Sequence, residues 1–160
     1  MNTSILTIDP GTRFWGISVF HGKEIFVCMV KNLSAKDSSR NRLSEVRRTF
    51  LAMCRKYAPD ILVIEKPYEF WKDQSRYLDR IIGEIKRLAR KNRVKIWELS
   101  PREVRMVLCQ DQRATKEDLA KAIGQQIPEF GDYLVRIRKN KARWNRMVNS
   151  IALGLCFLRR

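Results

Sequence analysis

Histidine is almost missing from this chain, and acid is scarce. The 160 residues hold one histidine, His21, and four widely separated cysteines, Cys28, Cys54, Cys109 and Cys156, with no C-x-x-C pair. That spacing excludes the usual zinc-ligand patterns and leaves the cysteines as buried reduced thiols. The start, MNTSILTID, has neither a charged leader region nor an apolar stretch long enough for a signal peptide. No run approaches the roughly 20 apolar residues of a bilayer span. The expectation is a soluble, intracellular, cytoplasmic protein without a membrane partner, organised as one domain over 1–160. Asp and Glu together number 17 against 33 Lys and Arg, a formal charge of +16. Such an excess resists compaction and makes sense with a polyanionic partner. The basic residues are spread over several segments and form no long amphipathic basic helix, which favours nucleic acid over a membrane surface.

What is present reads as alternating elements. Residues 4–9, 14–20 and 23–31 form three strands joined by Asp9-Pro10-Gly11-Thr12 and by His21-Gly22-Lys23, an antiparallel opening. A helix over 39–57 carries Leu43, Val46, Phe50, Leu51 and Cys54 at helical spacing, and Pro59 follows its end. DILVIE, 60–65, is the unbroken apolar run of a strand buried on both faces. A helix at about 72–91, with Leu78, Ile81, Ile82, Ile85 and Leu88 on one side, leads to a strand over 94–99. Ser100-Pro101 caps a short helix, and Thr115-Lys-Glu-Asp118 resembles a capping box for another running to about Gln126. The stretch 135–146 reads as a basic loop entering a last helix over 143–158. This order predicts an α/β fold, a mixed sheet with helices on both faces.

Two of these strands end in acids, Asp9 and Glu65. Each has a plain reading: Asp before Pro-Gly is a turn former, and Glu65 stands next to Lys66. Jointly, acids at two strand ends share the crevice where open α/β sheets gather ligands. Carboxylates so placed repel and call for a cation, Mg²⁺ being the natural one in a chain directed at phosphate.

ILTIDPGTRFWGISVF at 5–20, DILVIEKPYEF at 60–70 and WNRMVNSIALGL at 144–155 resemble, in order, the motifs of the RuvC family of Holliday-junction resolvases in the RNase H-like superfamily. The resemblance implies a five-stranded mixed sheet, a homodimer, and a structure-specific endonuclease. That enzyme would hydrolyse phosphodiesters of four-way junction DNA with two Mg²⁺ ions per site, Mn²⁺ substituting. It implies Asp9 and Glu65 as metal ligands, and Lys116 as a cation near the reacting phosphate. Helix 72–91 is the expected dimer contact.

The last motif departs from the family. Where resolvases place Asp, preceded three residues earlier by Asp or His, this chain has Asn149 and Arg146. Asn149 can still offer a metal its carbonyl oxygen but no charge, and Arg146 cannot ligate, though it can contact the scissile phosphate or take a metal's place electrostatically. Weak metal binding and poor cleavage are expected. Asn149 is either an inactivating exchange that spares the fold or the mark of a family member that binds without cutting. For DNA contact the resemblance and the charge point to Tyr68 and Phe70, with Trp71 beside them, and to Arg102, Arg105, Arg113, Arg136, Arg138, Lys139, Lys141 and Arg143. The competing readings are a non-catalytic junction-binding protein and an RNase H-like nuclease acting on RNA.

Overall fold

The computed structural model describes residues 2–33, 39–66 and 76–160. Its elements are β1 (Ser4–Asp9), β2 (Phe14–His21), β3 (Glu24–Asn32), α1 (Ser39–Tyr57), β4 (Ile61–Glu65), α2 (Arg76–Lys91), β5 (Lys95–Leu99), α3 (Pro101–Cys109), α4 (Lys116–Gln126), α5 (Pro128–Ile137) and α6 (Lys141–Leu158). The five strands form one mixed sheet in the order β3-β2-β1-β4-β5. β1 to β3 pair antiparallel, while β4 lies parallel to both β1 and β5. This is the mixed sheet expected.

Strand alternation sorts the core into two layers. Leu6, Ile8, Ile17, Leu62 and Ile64 face one way, against Val46 and Phe50 of α1 and Ile81, Ile82, Ile85 and Leu88 of α2. Ile5, Phe20, Val63 and Leu99 face the other way, against α3 to α6, with Val148, Ile151, Ala152 and Leu155 of α6 at the centre. The apolar stripe of α2 is therefore used on the chain's own core. Among the described residues, no helix is long and apolar enough to cross a membrane.

α6 is seated on β2 by two close approaches. A Cβ at Gly16 would lie 1.9 Å from the Arg146 carbonyl oxygen, and one at Gly154 would lie 2.0 Å from the Phe20 ring. Between them runs a satisfied polar seam. Thr7 Oγ1 donates to the Ser150 carbonyl at 2.7 Å, and the Ser18 and Ser150 hydroxyls bond at 2.8 Å. Buried hydroxyls with partners cost little, and they fix one register of helix on sheet.

Three sequence expectations are corrected. The supposed basic loop 135–146 is the end of α5, a short turn, and the first turns of α6, which begins at Lys141 with Asn140 as its cap. α5 itself was not foreseen. Of the four free cysteines only Cys156 is fully buried; Cys28, Cys54 and Cys109 are half-buried.

Candidate functional site

The parallel register of β1 and β4 pairs Ile8 with Ile64, so Asp9 and Glu65 stand one residue further along, side by side at the strand ends. Both share the parity of Ile5 and Val63, which puts their side chains on the face covered by α6. Asp9 is fully buried. Burial pushes the Glu65 carboxyl well above the usual range, and the charge of Asp9 and a hydrogen bond to it push the same way, opposed by Lys116 and Arg146.

α6 brings Arg146 and Asn149 to these acids, three residues apart and so on one helix face. Arg146 Nη1 donates to Asp9 Oδ1 at 3.0 Å and to the Pro10 carbonyl at 3.3 Å. Asn149 Nδ2 donates to the other carboxylate oxygen, Asp9 Oδ2, at 2.8 Å. The amide oxygen of Asn149 accepts from Lys116 Nζ. Lys116 is held at the first position of α4 by a capping box, in which Thr115 accepts from the Asp118 N–H and Asp118 accepts from the Thr115 N–H. Burial lowers the pKa of this lysine, against the opposing pull of Glu65 and Asp9. Arg105 of α3 lines the same narrow crevice with Glu65, Lys116 and Asn149.

Asp9, Glu65, Lys116, Arg146 and Asn149, named separately from the sequence, thus form one bonded cluster, with Arg105 at its edge. The other named cations lie elsewhere on the surface. Arg102 is exposed in the first turn of α3, and Arg113 in the turn between α3 and α4. Arg136, Arg138, Lys139, Lys141 and Arg143 are exposed around the α5–α6 turn, where Arg143 reaches Asn32 at 3.5 Å and Arg138 stands 3.8 Å from Glu117. Tyr68, Phe70 and Trp71 fall outside the described residues. Sequence reasoning missed Gly11: a Cβ there would sit 2.7 Å from Arg146 Nη2 and 2.9 Å from its Cζ. The DPGT turn therefore leaves a space that the guanidinium fills. A larger groove, about 540 Å³ between α4, α5 and α6, shares none of the cluster's residues.

This donor set does not fit a pair of divalent cations. Both Asp9 oxygens are engaged by N–H groups, and the one oxygen of Asn149 is engaged by an ammonium. Among the described residues, no three His, Cys, Asp or Glu side chains come together. Mg²⁺ demands several oxygen ligands in near-octahedral order, and here two carboxylates already face two fixed cations. A carboxylate at 149 would repel Asp9 and need a metal between them; the amide replaces that repulsion with a hydrogen bond.

No protein-family model matches the chain. It is similar to the crossover junction endodeoxyribonuclease RuvC of Pelodictyon phaeoclathratiforme, 27% identical over 128 residues, which cover 77% of this chain and 67% of that protein. The RuvC of Gloeobacter violaceus is 26% identical over 128 residues, 77% of this chain and 74% of that one. Among solved structures, Thermus thermophilus RuvC in complex with Holliday junction substrate superposes with a TM-score of 0.78 at 18% identity, over 96% of this chain and 92% of that one. The yeast mitochondrial Holliday junction resolvase gives 0.71 at 12% identity, over 99% and 78%. Distant sequence relatives and backbone alike point to the RuvC crossover-junction resolvases, which this chain resembles in sequence and whose fold it shares.

Proposed function

We propose that this protein recognises four-way DNA junctions, as a homodimer, and holds them without cutting by the two-metal route. The observation that carries the reading is the bonded cluster itself: a RuvC-type crevice whose Asp9 is tied to Arg146 and Asn149. A crossover junction has two-fold symmetry, and a C2 dimer would meet it with two such crevices. Arg105 and Lys116 at the crevice, with the exposed cations of the α5–α6 turn, supply the phosphate contacts that dominate affinity for DNA. Tyr68 and Phe70 are the rings proposed to stack at the crossover.

The test compares a synthetic four-way junction with duplex of the same sequence, at moderate salt, in binding and in nicking with Mg²⁺ or Mn²⁺. Tighter binding of the junction is expected, without nicking by the wild-type chain. Nicking is expected to return in R146D/N149D, and not in N149D alone, because Arg146 would still hold Asp9. Efficient junction nicking by the wild-type chain would overturn binding without cutting. Equal affinity for junction and duplex would overturn junction recognition.

A further inference from the structure

Arg146 is not one more member of a solvated basic run. Its backbone carbonyl sits where a Cβ of residue 16 would be, and its guanidinium lies over residue 11, so two glycines on separate stretches of chain make room for one arginine. Its Nη1 is committed to Asp9 and Pro10, which uses two of the five guanidinium N–H groups. The side chain remains 33% exposed, while Asp9 beneath it is wholly buried. The guanidinium therefore bridges a buried carboxylate on one side and solvent on the other, next to Asn149, which lines a crevice with Lys116 and Arg105. Guanidinium groups suit phosphate because their planar fork can donate to two oxygens at once.

We propose that Arg146 is a resident substitute for the divalent cation, neutralising the strand-end carboxylates from within the chain and presenting its outward N–H groups to a DNA phosphate. The proposal rests on the DNA-binding reading above and gives it a specific character. A site with a built-in cation engages DNA without waiting for a metal. Asp9 is then a positioning residue for the arginine, and Asn149 keeps Asp9 from rotating away by holding its second oxygen. Lys116, bonded to the far side of the same amide, completes a chain from α4 through α6 to β1.

The test uses the full chain and three readouts. Wild-type affinity for junction DNA in EDTA should match that in Mg²⁺ within about twofold. R146A should bind about tenfold more weakly in EDTA, the loss of one charged phosphate contact. Its salt-dependence slope should fall by about one, and added Mg²⁺ should return part of the lost affinity. Thermal unfolding without DNA should show millimolar Mn²⁺ stabilising R146D/N149D but not the wild-type chain. If R146A folds poorly, D9N/R146A removes both charges together, and R146K keeps the charge while losing the fork. Wild-type binding that needs Mg²⁺, wild-type stabilisation by Mn²⁺, or an R146A that loses melting temperature yet keeps wild-type affinity and salt slope would each overturn the proposal. The salt slope can be read on duplex as well, and the Mn²⁺ titration needs no DNA. Loss of junction preference would therefore leave these results standing, and their failure would leave the preference intact.

Discussion

At the scale of single residues, glycines decide where charge can sit. Gly16 and Gly83 make the point as a pair. A Cβ at Gly16 would fall 1.9 Å from the backbone oxygen of Arg146, whereas one at Gly83, on the exposed side of α2, meets nothing within 4 Å. Gly16→Ala should cost about 3 kcal/mol, the upper end for overpacking, because backbone on backbone cannot yield as a side chain can. Gly83→Ala should gain about 0.5–1 kcal/mol from helix propensity. Thermal denaturation checks both, with expected shifts of roughly −6 to −12 °C and +1 to +4 °C for a chain of this size. Asp9 and Glu65 were legible in the sequence, since a polar residue closing an apolar strand is conspicuous. The place of Arg146 was only half legible. The motif lined it up with the acids, but the room it occupies is made by Gly11 and Gly16, about 130 residues earlier, and nothing local to position 146 records them.

Among the elements, α1 and α2 are joined at their solvent edge by one carboxylate. Glu84 of α2 accepts from Arg47 Nε of α1 at 2.7 Å and from Arg87 Nη2 at 2.6 Å, and the Arg87 bond holds its carboxyl down at about 2. An ordinary glutamate titrates near 4.5, so the folded state binds this proton less readily than the unfolded one. The stabilisation is thus complete above about 4.5 and fades as the pH falls toward about 2. Both arginines are half exposed, so solvent screens the pair and keeps its worth small. Glu84→Gln should lower the melting temperature by roughly 2–4 °C at neutral pH, with wild type and variant converging in acid, as followed by circular dichroism. The neighbouring layer shows where sequence patterns lose force. α5 opens with Pro128 at its first turn and carries Phe130, Tyr133 and Leu134 at helical spacing, yet Gly131 and the basic residues after it argue for a loop. Gly131 serves packing instead: its Cα lies 3.2 Å from where a Cβ of Gly124 would be, letting α5 press against α4. A residue that weakens a helix on its own is what the helix pair requires.

For the whole molecule, charge is the dominant fact. The excess of +16 is spread over both helical layers, on α1 and α2 as well as on α3, the α5–α6 turn and around the crevice, while the acids of the crevice are matched by their own cations. DNA affinity should therefore fall steeply with salt. If the proposed junction binding neutralises six or more phosphates, a loss of about 10³-fold is expected between about 50 and 200 mM, readable by fluorescence anisotropy on a labelled junction. A weak salt dependence would mean that few of these cations touch DNA. The antiparallel opening and the two-faced layering followed from the strand periods and the alternation of elements. The balance of charge inside the crevice did not, because it depends on which cation reaches which acid, and composition counts only totals.

The seating of α6 on β2 has a consequence for exchange at residues 146 and 149. Gly16, Gly154 and the hydroxyl seam hold the helix through contacts that do not involve the side chains of residues 146 and 149. Those two side chains can accordingly change without unseating the helix, although each change gives up a bond to the buried Asp9. On the proposed reading, a single helix face then carries the whole difference between a clamp and a nuclease, which is the difference that R146D/N149D measures.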